Sequence, residues 1–486
     1  MISLKNNYKR LFIGLLTIAL FSCSNPWDDR ENNGDDNLSV TLSEAITNTT
    51  EVSQFGQLLV QTGYDKILAA SKTYTVFVPT NEAIDQVDDA ILNDPEALKK
   101  FVANHIALTA YSSIRTKEQE KIKMLGDKYL IFKGATMIDD ATIVTADHYA
   151  ANGVFHVINK ALTPKLNIWQ YINSQTGNSA MGDYLLSLKE FSIYTADIAA
   201  KANAAPGYLA DSLSNSYLRN VYNLNNEKNS YTLFLMEDAG YNAEVDKMKP
   251  YLIKTSNVAA IDSTAIYAKY FTLRDMTFSK KYELDELPAT LTSRFGVEFP
   301  VDKTQIVGEP IHLSNGIVYI MKKVDVALAK RLITTRIEGE KNIGYIGSRT
   351  PILYRDKKDP LDVLFNDIMV QAPTRAKFTL LYNAKDMYST TYNVYWKAVN
   401  DRTTSTLFQQ KLGIGGNFDP TTVNVVNFTE AVPLTIIPYN NYEEILVGQF
   451  TKTTAGNIDL ISLIGGATTA TSGLTLDYLK FVPVLK

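Results

Sequence analysis

From Gln54 to Leu68 apolar residues return at helical spacing, with Phe55, Leu58, Leu59, Ile67 and Leu68 on one side of a predicted helix. The run Thr73-Tyr74-Thr75-Val76-Phe77-Val78 is rich in β-branched and aromatic residues and predicts a strand. Pro79-Thr80-Asn81-Glu82-Ala83-Ile84 stops it, and Thr80 or Asn81 can cap a following helix. Leu98, Phe101, Val102 and His105 share a helical face in the segment 98–109. Asn152-Gly153 then reads as a turn, with the glycine supplying positive φ, before a strand through Ile158.

The same pattern returns in weaker form. Tyr231-Thr232-Leu233-Phe234-Leu235 parallels Tyr74 to Val78, and Asn315 to Ile320 parallels Asn152 to Val157. Thr75 and Asn152 are 77 positions apart, Thr232 and Asn315 83. Ile266 to Phe271 can be laid on Phe101 to Ile106. After its strand the second copy has Met236-Glu237-Asp238-Ala239 where the first has Pro79-Thr80-Asn81-Glu82. Remodelled loops are expected around it, for example from Asn203 to Asn215.

From about Ile333 the period changes to two. Alternating segments fall at Lys377–Tyr382, Thr391–Val399, Val423–Phe428, Pro433–Tyr439, Glu444–Phe450, Ile458–Ile464 and Leu474–Val482, spaced as in a β-sandwich. Tyr392, Val394, Trp396 and Ala398 share one face, which is expected to be core.

The first repeat resembles the fasciclin domain. The resemblance rests on Thr75 to Ala83 (a Thr-Val-Phe-x-Pro-Thr-Asn-x-Ala type of turn), on Asn104-His105, and on Asn152 to Ile158 closing with Leu162-Thr163-Pro164. The weaker repeat is read as a second, divergent copy. The close of the chain, Leu446 to Phe450, Gly456 to Leu460 and Leu474 to Pro483, resembles the end of a galactose-binding-like jelly roll, with an immunoglobulin-like sandwich as the alternative. The expected fold class is therefore multidomain: two α+β fasciclin domains followed by an all-β, jelly-roll-like sandwich. Fasciclin domains in general act in adhesion and protein interaction, which the resemblance implies and spacing does not show.

The start of the chain has another logic. Lys5, Lys9 and Arg10 precede an 11-residue apolar run, Leu11 to Phe21, well short of the roughly 20 residues a spanning helix needs. Leu20-Phe21-Ser22-Cys23 follows, and Cys23 is the only cysteine. This resembles the bacterial lipoprotein signal, which implies lipid on Cys23. The solvated, acidic stretch after it, with Asp28, Asp29, Glu31, Asp35 and Asp36, resembles the surface-export signal of Bacteroidetes lipoproteins. The expected organisation is a signal peptide at 1–22, a tether at 23–37, fasciclin domains at 38–166 and 167–332, and a sandwich at 333–486 that is carbohydrate-binding-like. The expected location is the outer membrane, facing the exterior.

Charge narrows the function. Of 48 basic and 52 acidic residues, 1–22 hold three basic and none acidic, leaving 45 against 52, or −7. Nucleic acid is not an expected partner, because its recognition needs a basic footprint. With the lone thiol acylated, no disulfide can form within the chain, and stability must come from packed cores.

No Ser or Cys motif carries a base and an orienting group, so no catalytic residue, cofactor or metal site is assigned. His105 and His156 could be imagined as ligands, but Tyr270 and Tyr319 stand at the matching places in the repeat, which reads as a need for a large hydrogen-bonding ring in a core. His148 and His312 belong to no Cys/His/Asp cluster. Gly413-Ile414-Gly415-Gly416 lacks the context of a nucleotide loop and reads as a β-turn.

Glycan sites use aromatic platforms, and Tyr388, Tyr395, Tyr439 and Tyr442 are the ligand-binding candidates, against a plain reading as surface or core-edge tyrosines. The functional expectation is a non-enzymatic accessory binding component of a Sus-type uptake system for glycan or peptide, beside a transporter and its lid lipoprotein. The alternative is an adhesin or scaffold binding matrix or envelope proteins.

Overall fold

A computed structural model of the chain describes residues 39–69, 73–114, 119–189, 215–254, 263–402 and 407–486. Cys23, the acidic tether and all but the last residue of the Asn203–Asn215 loop lie outside them. The chain forms two compact units. The first runs to Tyr171 and adds Leu224–Tyr231 and His312–Ile317; the second holds Ile172–Asn223, Thr232–Ile311 and Val318–Lys486.

In the first unit a seven-stranded sheet has the order Ile106–Ala107, Tyr74–Pro79, Gly153–Ile158, Ala141–Ala150, Met137–Ile138, Tyr129–Phe132, Glu120–Lys123. Tyr74–Pro79 and Gly153–Ile158 pair in parallel, and every residue of both is buried. That explains their continuous apolar runs, since a strand covered on both faces needs no alternation. Leu42, Ile46, Phe55, Leu59 and Phe101 pack with Val76 and Val78, while Phe132, Ile122 and Ile138 pack with Phe77.

Thr80 caps the helix Asn81–Ile84 by accepting from Ala83 N (3.3 Å). Asn81 instead ties that helix to the preceding one: its Oδ1 accepts from Gln54 N (3.0 Å) and its Nδ2 donates to Thr50 O (2.9 Å).

The repeat is visible bond for bond. Thr75 Oγ1 donates to Thr109 O (2.8 Å) and accepts from Tyr111 N (2.7 Å). Thr232 Oγ1 donates to Lys280 O (2.8 Å) and accepts from Tyr282 N (2.9 Å). His156 Nε2 donates to Tyr111 O (2.8 Å) while its ring stacks on Phe77; Tyr319 donates to Tyr282 O (2.9 Å) while its ring stacks on Phe234. Asn152 Oδ1 accepts from Leu42 N (2.8 Å), as Asn315 Oδ1 accepts from Ile168 N (2.9 Å). The glycines that follow these asparagines serve close approach: a Cβ on Gly153 would strike Tyr74 O, and one on Gly316 would strike Tyr231 O. Gly153 does not use the positive φ expected from the sequence.

One pairing of the repeat is different from the expected one. Phe77 N donates to His105 O (2.9 Å) and Phe234 N to Met276 O (3.0 Å), so Met276, not Tyr270, stands where His105 does. The second copy's helix, Thr264–Leu273, leads into the strand Thr277–Phe278 through Arg274, Asp275 and Met276. A hydrogen-bonding ring is thus shared at 156 and 319 only.

In the second copy, Ile311–Leu313, Gly316–Met321, Tyr231–Met236 and Thr277–Phe278 form a four-stranded sheet, in that order. The sandwich follows, all antiparallel: a four-stranded sheet (Thr335–Glu338, Tyr478–Pro483, Thr391–Lys397, Ile445–Thr451), a five-stranded sheet (Gly344–Ile346, Thr379–Met387, Gly456–Gly465, Gln409–Ile414, Thr429–Ile436) and a three-stranded one (Ile352–Lys358, Leu364–Val370, Leu474–Leu476). Tyr392, Val394, Trp396 and Ala398 are all buried, as their alternation predicts. The expected strand Leu474–Val482 is broken at Asp477, which sends its halves into different sheets. Asp477 N donates to Lys397 O (2.8 Å), out of the register that pairs Lys397 with Tyr478, and Asp477 O receives Gly339 N (2.5 Å), one step beyond the Glu338–Tyr478 pair.

The second α+β domain and the sandwich share polar contacts throughout their junction. Arg331, buried, donates from Nη2 and Nε to Glu244 Oε2 (2.8 and 3.2 Å), with Asp275 3.6 Å from Nη1. Tyr388 of the sandwich donates to Arg331 O (2.9 Å), and Ser389 N to Tyr251 O (2.7 Å). Removing one partner of a buried ion pair leaves an uncompensated charge. Arg331→Met should therefore lower the unit's unfolding free energy by about 3–5 kcal/mol, read from urea unfolding, and adding Glu244→Met should recover part of that loss.

His105 makes a second prediction. Its Nδ1 donates to Phe101 O (2.9 Å) and its Nε2 accepts from Leu162 N (2.9 Å), so the ring must be neutral. Burial holds its pKa down at about 4, against the opposing pull of the Phe101 carbonyl. Between pH 4 and 6.5 the unfolded chain binds this proton and the folded one does not. The stabilisation is complete above pH 6.5 and is lost as pH falls toward 4, by up to about 1.4 kcal/mol per pH unit. His105→Phe should remove this part of the slope, which urea midpoints of parent and variant at pH 7 and pH 5 will show.

Candidate functional site

The outer face of the five-stranded sheet carries a pocket of about 400 Å³. Its floor is set by register. Thr379 lies opposite Ile464, and Ile464 opposite Lys411, so three neighbouring strands offer one row of side chains. Its roof is a hairpin, Asn417–Asp419 paired with Asn424–Val426. Asp419, Thr422, Asn424, Val425 and Val426 line it from that side, and Phe428, Leu434 and Lys377 complete the rim.

Local chemistry explains the roof. The strand Gln409–Ile414 ends in Gly415 and Gly416, with φ of 76° and 87°, where a side chain would be strained. The β-turn expected over Gly413-Ile414-Gly415-Gly416 is not formed: Gly413 and Ile414 belong to the strand, which the hydrophobic pattern does not announce, and the chain only bends at Gly415. At the hairpin tip Asp419 Oδ1 accepts from Thr421 N (2.8 Å) and its Oδ2 from Thr422 Oγ1 (2.6 Å), an Asp-Pro-Thr-Thr turn that closes on itself. The Thr422 hydroxyl, and then the Thr421 N–H, hold the Asp419 carboxyl below its usual pKa. Arg375 ties the hairpin down from the neighbouring loop, donating from Nη2 to Val423 O (2.8 Å) and Asn424 Oδ1 (3.0 Å).

Phe428 packs against the strand because Gly413 offers no side chain: a Cβ there would run into the ring. Lys411 Nζ sits 5.1 Å from the Phe428 centroid and 2.8 Å from Glu430, so its charge is matched. A concave, mainly apolar surface with an aromatic ring and a few fixed polar groups has the composition of a small-ligand site, and its volume falls within the range of about 300–1,000 Å³ usual for such sites. Among the described residues no group of three His, Cys, Asp or Glu side chains could hold a metal ion.

None of the four tyrosines expected from the sequence lines this pocket. Tyr388, expected to face outward, is 3% exposed; its hydroxyl is spent on Arg331 O and its ring meets Phe271 edge-on. It is a residue of the domain junction. Tyr395 is on the outer face of the four-stranded sheet, but Lys480 Nζ lies over its ring at 4.8 Å. Tyr442 meets Phe365 edge-on at 6.3 Å. Tyr439 is 44% exposed in a loop bridged to Asn400. The structure does not gather them into one platform. The pocket's one signal in the sequence was the pairing of Gly413-Ile414-Gly415-Gly416 with the Asp-Pro-Thr-Thr turn, which marks a close approach and a tight hairpin but no ligand.

Gly413→Ala should displace the Phe428 ring and destabilise the sandwich by about 1–3 kcal/mol, the usual range for overpacking. Thermal unfolding of the variant beside Phe428→Ala checks it: in the double variant the added methyl should cost much less.

Parts of the chain match known proteins. Residues 50–164 match the family model for the fasciclin domain. The protein sll1483 of Synechocystis is 30% identical over 108 residues, which is 20% of this chain and 59% of that protein. The transforming growth factor-beta-induced protein ig-h3 of Sus scrofa is 31% identical over 116 residues, 21% of this chain and 16% of that one. The chain thus spans well under two thirds of either relative. Among solved structures, a FAS1 domain pair from the insect cell adhesion molecule Fasciclin I aligns over 58% of this chain and 99% of its own, at 15% identity and a TM-score of 0.23. A β-1,3-glucan-binding module, CBM6 of Bacillus halodurans, aligns over 30% of this chain and 94% of its own, at 13% identity and a TM-score of 0.22. The first of the two α+β domains, over residues 50–164, is a fasciclin domain.

Proposed function

We propose that this chain is a non-enzymatic binding protein, anchored by lipid on Cys23 to the outer face of the outer membrane, whose terminal sandwich holds glycan. The observation that carries the reading is the pocket beneath the hairpin 417–426, with Phe428 as its ring, Ile464, Val425, Val426 and Leu434 as apolar lining, and Lys377, Lys411, Asp419 and Asn424 as polar groups. Sugars offer apolar ring faces and hydroxyl edges, and such a lining meets both. The signal-like start and acidic stretch support the address. In this reading the protein serves a Sus-type uptake system, presenting glycan to a transporter and its lid lipoprotein.

The fasciclin match at 50–164 favours a second reading, an adhesin or scaffold that binds matrix or envelope proteins. One experiment separates them. The purified chain without residues 1–22 is applied to immobilised polysaccharides and to matrix proteins. Retention on a polysaccharide, lost on replacing Phe428 and Asn424 by alanine, is the expected result. Retention on matrix proteins alone would overturn the glycan reading. The lipid is checked separately: Cys23→Ser should release the protein from the membrane fraction.

A further inference from the structure

Charge around the pocket is uneven. Asp419 contributes a carboxylate on the hairpin side, held in its ionised form by Thr422 Oγ1 and Thr421 N. Lys411 is neutralised by Glu430 at 2.8 Å. Two cations nearby have no carboxylate partner among the described residues: Lys377, which lines the pocket, and Arg375, which lies outside the lining and holds the hairpin. Arg375 spends its donors on carbonyl and amide oxygens, those of Ala376, Val423 and Asn424. Lys377 lines the pocket, is exposed, and its ammonium makes no hydrogen bond or ion pair among the described residues.

Lys377 is also held in place at some conformational cost. Its φ is 54°, in the left-handed region that non-glycine residues rarely occupy. Its N–H donates to Gly466 O (2.9 Å), next to the Gly465 and Ala467 that line the same pocket. Residues held in sparsely populated backbone regions cluster at ligand and active sites.

We infer that the pocket takes a glycan bearing an anionic group, a carboxylate or a sulfate, with Lys377 as its counter-ion. The inference rests on the pocket being a glycan site and goes on to name the class of glycan. The anion meets the Lys377 ammonium at the rim, while the sugar ring lies toward Phe428 and Ile464. Asp419 faces the hydroxyl-bearing side.

The test is a panel of neutral, carboxylated and sulfated oligosaccharides of matched length, titrated into the purified chain without residues 1–22. The expected result is preference for one anionic set over its neutral counterpart by about tenfold or more, weakening as salt is raised. Lys377→Ala should abolish that preference and Lys377→Arg should keep it, with unchanged thermal unfolding for both. Whether the carboxylated or the sulfated set binds tells which anion the site prefers. Equal binding of neutral sugars, unmoved by Lys377→Ala, would overturn the inference and leave the glycan reading standing. Retention of no sugar at all would overturn both.

Discussion

A guanidinium shut away from water sets the terms for the larger unit of this protein. Arg331 is buried between Glu244 and Asp275, and its own carbonyl receives the hydroxyl of Tyr388. A buried charge is tolerable only with its partners in place. The helix Asp238–Met248, the segment around Asp275 and the start of the sandwich must therefore arrive together. Burial pushes the Asp275 carboxyl up, while Arg274 and Arg331 pull it down. Arg274 in turn reaches Asp386, at the far end of the strand Thr379–Met387. That strand's other end is Thr379, in the pocket floor, so one continuous element runs from the junction to the candidate site.

Strong local signals were the ones legible in the sequence. The doubly covered strands Tyr74–Pro79 and Tyr231–Met236 announced themselves as unbroken β-branched and aromatic runs, and the alternation of Tyr392, Val394 and Trp396 gave their buried face. The threonine, asparagine and ring positions of the repeat could be matched because the same residue types recur at similar spacing and make the same geometrically fixed bonds. Where the second copy spaces its helix and strand differently, similarity of residue type pointed to Tyr270, and only backbone pairing identified Met276. The break at Asp477 was equally hidden, since nothing in Leu-Asp-Tyr distinguishes a strand that continues from one that changes sheets.

The site was the least legible part. Tyrosine content drew attention to Tyr388, Tyr395, Tyr439 and Tyr442, yet a tyrosine serves a domain junction, a lysine stack or a ligand with the same side chain. The pocket depends on features that composition does not report: a register that aligns Thr379, Ile464 and Lys411 across three strands, and a missing Cβ at Gly413 that lets a ring pack against the strand. The first joins segments far apart in the chain, and the second is a close approach that residue type alone does not announce.

The way the roof is attached has an evolutionary consequence. The hairpin Asn417–Val426 pairs with itself rather than with the sheet below, and a single arginine reaches across to hold it. Substitutions or length changes between Gly416 and Asn427 can alter what the cavity admits while the five-stranded scaffold keeps its ladder intact. Change at these positions could therefore reshape the cavity without first solving a folding problem, and descendants of this chain should diverge fastest there.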